Sequence, residues 1–281
     1  MQTMQRPDKT SGAPMKRYRS NERLMFITPK RIAYAGLLGT PGTRIFGATT
    51  LYLSLRNPFQ LWQRGSNVRE ARFAIVPAYV PHRVATRDRS IAEVLLEAES
   101  VPPALMIERF AGNHALAEQT ADRAIEGFRC LRENWANAGN LDFDALFFNE
   151  PPPLRKLDPR IAVVAERISR IPAEKHPAEA CAEQAGLSFS RFTHLFCEQM
   201  GTTLRRFRAW KRARGVMHIV HGGGNLLEAA LNSGYADSTH FSHSLRQFYG
   251  LPPKDIFSGA RGLAVFQQMP CSGNLAPLLV A

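Results

Sequence analysis

The chain has 281 residues, 44% of them hydrophobic, with a formal net charge of +12. That is enough apolar material for two domains of ordinary size. No apolar run approaches the roughly 20 residues of a membrane-spanning helix, and the first residues lack the apolar block of a secretory signal, so a cytoplasmic protein without a membrane partner is expected.

In chain order, residues 1–23 are polar and basic and read as a disordered tail. The segment 1–31 carries eight Lys/Arg against two acids. Residues 24–99 alternate β-prone runs (45–56, 59–63, 72–76, 84–86, 91–98) with turn signals such as Gly39-Thr40-Pro41-Gly42, Asn57-Pro58, Pro77 and Pro81. Short strands with Gly/Pro punctuation predict an antiparallel sandwich or small barrel. A helix follows over 114–134, with Leu116, Ala121, Ile125, Phe128, Leu131 and Trp135 on one stripe. Such a stripe serves either the domain's own core or a homodimer contact through residues 114–135. Pro151-Pro152-Pro153 cannot continue a helix, which places a linker at 151–157 and ends the first domain at 24–150. Beyond it the pattern is helical, with helices expected at 158–169, 178–184, 189–199, 203–220, 226–232 and 238–249. Asp158 caps the first of these, with Pro159 in its first position. Residues 260–281 read as a C-terminal tail.

The four cysteines, Cys130, Cys181, Cys197 and Cys271, are far apart and form no CxxC pair. Reduced thiols acting as small hydrophobes fit this spacing better than disulfides or a zinc knuckle.

The C-terminal region repeats itself. Ala182, Gly186, Phe192-Thr193-His194, Phe196 and Gly201 are echoed by Ala230, Gly234, Phe241-Ser242-His243, Leu245 and Gly250. Each half reads as a short helix with a small Ala, a glycine turn, and a second helix anchored by Phe192 or Phe241. Ser190 and Ser238 sit where the second helices begin. This is the order of a helix-turn-helix, which offers its second helix to the major groove; a helical-hairpin repeat protein is the alternative. Between the units, Arg205, Arg206, Arg208, Lys211, Arg212 and Arg214 share a segment with an apolar face of Leu204, Phe207, Trp210 and Ala213. Residues 154–281 carry sixteen basic against nine acidic side chains, whereas 32–153 are near neutral. That asymmetry points to a polyanion partner, double-stranded DNA.

From these positions two roles follow. Ser190, Arg191, Thr193 and His194 in one unit, and Ser238, Thr239, Ser242 and His243 in the other, flank the anchoring phenylalanines and are expected to read base edges. Arg205, Arg206, Lys211 and Arg246 are expected to contact phosphates.

Gly186-Leu187-Ser188-Phe189-Ser190-Arg191-Phe192, Phe196 through Leu204, Gly234 through Ser242 and Phe248-Tyr249-Gly250-Leu251-Pro252-Pro253 together resemble the DNA-binding domain of the AraC/XylS family, over 158–259. The resemblance implies a two-domain α+β protein. Its N-terminal part would be a cupin-like β-barrel with a following helix; its C-terminal part would be all-α, with two helix-turn-helix units joined by a linker helix. It further implies transcription regulation, activation rather than repression, RNA polymerase as partner, and a small-molecule effector in the barrel. Where family members often carry Arg within the recognition helices, this chain has His194 and His243, which make one hydrogen bond where Arg makes two.

Within the barrel, His82 is the one histidine before His114. A metal site needs several converging ligands, so no metal, no cofactor and no enzyme activity are expected. His82, Arg83 and Arg87 are the candidate effector contacts. The Arg83/Arg87 spacing leaves open a cyclic-dinucleotide sensor, and a cupin-derived enzyme tethered to DNA is the other alternative.

Overall fold

The computed structural model describes residues 23–268 except 40–41, 64, 66, 135–139, 220–225 and 260–262. Of the expected tail 1–23, Arg23 begins β1, and the rest of it, with Trp135 and Cys271, lies outside the described residues. Eight strands come first: β1 (Arg23–Ile27), β2 (Arg31–Leu37), β3 (Ala48–Leu53), β4 (Phe59–Gln63), β5 (Arg69–Ala71), β6 (Phe73–Val76), β7 (His82–Thr86) and β8 (Ser90–Glu97). Helices α1 (Pro103–Phe110), α2 (His114–Glu133) and α3 (Phe143–Phe147) follow. The C-terminal part comprises α4 (Pro159–Arg170), α5 (Ala178–Gln184), α6 (Phe189–Met200), α7 (Leu204–Val216), α8 (Leu226–Asn232), α9 (Ser238–Tyr249) and α10 (Pro253–Gly259), then β9 (Leu263–Gln267).

The strands form two open sheets, β6-β3-β8-β2-β1-β9 and β5-β4-β7, which corrects the expectation of a closed cupin-like barrel. The physical reason lies in β3 and β8, whose residues are buried almost without interruption. A strand buried on both faces belongs to the middle of a layered structure. Leu51, Leu53, Ala92, Val94 and Leu96 point to the layer of α2 and α3, where they meet Phe128 and Phe147. Tyr52, Ile91 and Leu95 point the other way, toward the small sheet and the second helix-turn-helix unit. Helices cover one face of the large sheet, so the sheet does not roll up on itself.

On α2 the buried face is Thr120, Ala124, Gly127, Phe128 and Leu131, while Ile125 is exposed. Of the expected stripe, Phe128 and Leu131 are thus the fully buried members among the described residues.

Strand β9 comes from the segment read as a tail. It pairs in parallel with β1 from Arg23↔Leu263 to Ile27↔Gln267, whereas the other pairings are antiparallel. Ala264 and Phe266 enter the helical side of the sheet, and Leu263 and Val265 the opposite side. The chain thus returns to its first domain after completing the second.

Candidate DNA-reading surface and interdomain cavity

The repeat folds as two helix-turn-helix units, α5–α6 and α8–α9. Gly186 (φ 62°) and Gly234 (φ 74°) take the left-handed backbone that ends each first helix, a conformation that costs other residues energy. The second helices begin at Phe189 and Ser238, where the sequence placed them. Ser188 caps α6 by accepting from the Arg191 N–H, and Asp237 caps α9 by accepting from the His240 N–H at 2.7 Å. Each cap satisfies one of the unpaired N–H groups of a helix start.

Phe192 and Phe241 are buried, as an anchoring role requires. Around them Ser190, Arg191, His194, Ser238, Thr239 and His243 are exposed, and Thr193 and Ser242 half-exposed. The structure brings the two quartets onto the outer faces of α6 and α9. Thr193 is partly committed already: its hydroxyl donates to the Phe189 and Ser190 carbonyls at 3.0 and 2.9 Å. Its oxygen keeps accepting capacity and its methyl stays available.

The four expected phosphate contacts separate. Arg205 and Arg246 are exposed. Arg206 stacks on Tyr79 of the N-terminal domain, with its guanidinium 5.2 Å from the ring centre. Lys211 is 2% exposed and donates to both Glu97 and Glu99. It faces the N-terminal domain, which corrects its assignment to phosphate. Arg214 joins it on Glu97 at 2.7 Å, as does the Trp210 indole N–H at 2.9 Å. Burial alone would raise the Glu97 carboxyl. The Lys211 and Arg214 charges, with hydrogen bonds from Lys211 and Trp210, outweigh burial and hold it below the usual carboxylate range.

This docking gives the two units different surroundings. The first unit has its own core, in which Phe192, Phe196 and Phe207 meet Ile161 and Ile168. The second shares one continuous core with the N-terminal domain, where Trp210, Phe248 and Tyr249 pack with Phe46.

The effector candidates do not converge. His82 is buried: its Nδ1 donates to the Val80 carbonyl at 2.8 Å, so its Nε2 accepts from the Tyr52 hydroxyl at 2.6 Å. Burial brings its pKa down to about 4, so the ring is neutral at pH 7. Arg83 and Arg87 are exposed, and Arg83 stacks on Trp62.

A cavity of about 450 Å³ lies elsewhere, between the large sheet and the second unit. Its sheet side includes Met25, Ile32, Phe46 and Leu95; its helical side includes Tyr249, Leu251 and Ile256. The buried Arg44–Glu93 ion pair (3.0 Å) also lines it, and the Arg44 Nε has no partner. Burial pushes the Glu93 carboxyl up, although Arg44 opposes this. Residues 44 and 93 are distant in sequence and carry no motif, so sequence reasoning missed them.

Two helix-turn-helix units joined by a helix, with both second helices presented outward, define a DNA-binding domain. A helix-turn-helix domain model matches residues 181–258, spanning both units. The invasion protein InvF of Salmonella typhi is 28% identical over 75 residues, 26% of this chain and 35% of that protein. The transcriptional activator RhaS of Escherichia coli is 31% identical over 85 residues, 30% of this chain and 31% of that protein. The chain thus spans about a third of the length of these curated relatives. Among solved structures, ToxT of Vibrio cholerae O395 superposes with a TM-score of 0.52 at 10% identity, covering 83% of this chain and 98% of that one. The apo form of a ToxT point variant from Vibrio cholerae strain SCE256 gives 0.53 at 8% identity, covering 82% and 98%. The two-domain fold, a strand-rich N-terminal domain followed by a helical one, is shared with these structures. The similarity to the helix-turn-helix domain model and to InvF and RhaS lies in the C-terminal domain.

Proposed function

We propose that the protein is a sequence-specific transcription regulator, an activator in which a small-molecule effector acts through the N-terminal domain. The observation that carries this reading is the doubled helix-turn-helix with eight polar side chains facing outward from α6 and α9. Polar side chains near the starts of such helices reach base edges first, and the exposed Arg205 and Arg246 supply phosphate contacts. The effector seat is the interdomain cavity rather than the His82/Arg83/Arg87 group. ToxT has been solved with a naphthalenyl-butenoic acid bound, which supports a small-molecule role for this fold. RNA polymerase as partner and a homodimer through 114–135 complete the proposal; Ile125 is exposed there on α2.

The test compares binding of the full chain to its own upstream DNA and to random DNA, at several salt concentrations. Specific binding at least a thousandfold tighter, weakening steeply with salt, is expected. Equal affinity for both would make it a non-specific DNA-binding protein.

A further inference from the structure

The two reading helices do not present the same chemistry at their starts. Phe189, the first residue of α6, is 51% exposed. It lies outside the first unit's core and outside the partly buried apolar residues packed against that core. A single exposed apolar side chain is ordinary on a protein surface, but the place of this one is not. Residues at the start of a recognition helix meet base edges first. The repeat puts Ser238 at the same position of α9, three residues before Phe241 as Phe189 is three before Phe192.

The next turn of each helix continues the difference. Thr193, four residues after Phe189, stands on the same flank of α6. A helical side chain leans over the turn that precedes it, here toward Phe189. The Thr193 hydroxyl is turned back onto the Phe189 and Ser190 carbonyls, which leaves its methyl group available. A phenyl ring and a methyl group thus form a short apolar strip on α6. The corresponding residues of α9, Ser238 and Ser242, are exposed and half-exposed and have no methyl to offer.

One base carries an apolar group into the major groove: thymine, through its 5-methyl. Phenylalanine and the threonine methyl are both fitting contacts for that group. Resting on the regulator reading above, we propose that Phe189, with Thr193, reads a thymine 5-methyl group in the half-site of α6. Helix α9 reads its own half-site without methyl contacts. The α6 contact removes apolar surface from water on both sides and needs no hydrogen bond. The two half-sites therefore differ in sequence, although both helices carry a histidine two residues beyond the buried phenylalanine.

A DNA site obtained by in-vitro selection with the full chain supplies the probe. Its α6 half is the one whose protection is lost in Thr193→Ala with His194→Ala. Each thymine is then replaced by uracil, which removes the 5-methyl group and leaves the hydrogen-bonding edges as they were. In the α6 half, at least one replacement is expected to weaken binding about fourfold, the worth of one buried methyl group. In the α9 half, every replacement should leave binding unchanged. Phe189→Ala should no longer distinguish the thymine site from the uracil site. As a change at an exposed side chain, it should leave thermal unfolding where it was.

A selected α6 half without thymine, uracil replacements without effect there, or equal effects in the α9 half overturn the assignment. A Phe189→Ala protein that keeps the thymine preference does so too. Loss of affinity for thymine and uracil sites alike would place Phe189 against the sugar-phosphate backbone and overturn its reading role. If selection yields no site at all, the regulator reading falls, and this inference with it.

Discussion

Glu97, at the end of β8, and Lys211, in the middle of α7, form a buried ion pair that fastens the linker helix to the N-terminal domain; their side chains are 0% and 2% exposed. The same carboxylate accepts from Arg214 and Trp210. Three donors on one helix thus depend on one acceptor 113 to 117 residues earlier in the chain.

Removing Lys211 leaves the buried Glu97 with Arg214 as its remaining counter-charge and takes the Lys211 contact from Glu99. Lys211→Ala is expected to lower unfolding stability by about 3–5 kcal/mol, read by urea denaturation. Replacing Glu97 as well, in Glu97→Leu with Lys211→Met, should deepen that loss, because the buried Arg214 is then left without a carboxylate. A Lys211→Ala protein as stable as the parent would show that the pair does not form in solution.

Arg205 and Arg246 should behave oppositely. Each is exposed, so Arg205→Ala and Arg246→Ala should leave stability within about 0.5 kcal/mol. Each should weaken binding to cognate and random DNA equally and flatten the salt slope by about one unit. A change of base preference at one position would assign that arginine to base reading instead.

His82 makes stability depend on pH. Its pKa of about 4 in the folded protein, set mainly by burial, lies below its ordinary 6.5. Below pH 6.5 the unfolded chain takes up a proton that the folded chain refuses. The stability that the neutral ring contributes is therefore complete above pH 6.5 and is lost as pH falls toward 4. The difference corresponds to roughly 3 kcal/mol at about 1.4 kcal/mol per pH unit. His82→Gln should remove this part of the pH dependence between 6.5 and 4; an unchanged profile in the variant would assign the slope to other groups.

How much of this was legible beforehand follows from the range of the forces involved. The helices of the C-terminal part were visible because caps and 3.6-residue periodicity are local. Asp158 caps α4 as read, and the repeat located both turn glycines. Strands β1 and β2 escaped detection, whereas β3 and β8, equally buried on both faces, were read from their β-prone runs. β9 is a strand only because the β1 edge awaits it. Lys211 was misread for a related reason. A lysine within an arginine-rich helix resembles its exposed neighbours, and nothing nearby in sequence reveals the carboxylate that holds it. The cavity is hidden in the same way, assembled from residues 23 to 263 with no shared pattern.

The last expectation concerns base reading, where the two units can be tested separately. His194 and His243 are equivalent in the repeat, exposed, and two residues beyond the buried phenylalanines Phe192 and Phe241. Each helix also presents a hydroxyl residue beside its histidine, Thr193 or Ser242, but the two hydroxyls differ. The Thr193 hydroxyl is spent on its own helix, so Thr193 is left to accept a hydrogen bond or to offer its methyl to a thymine. The substitution pairs Thr193→Ala with His194→Ala and Ser242→Ala with His243→Ala should each erase one half of the footprint and spare the other. The cost expected is about 1–3 kcal/mol per lost base contact, with unfolding stability unchanged because none of the four side chains is in the core. Within the first pair, Thr193→Ala alone should cost less than His194→Ala alone, since only the histidine has a free donor. If both double variants kept parental specificity in a quantitative footprint, reading would have to be sought outside these helices, beginning with the basic segment 1–31.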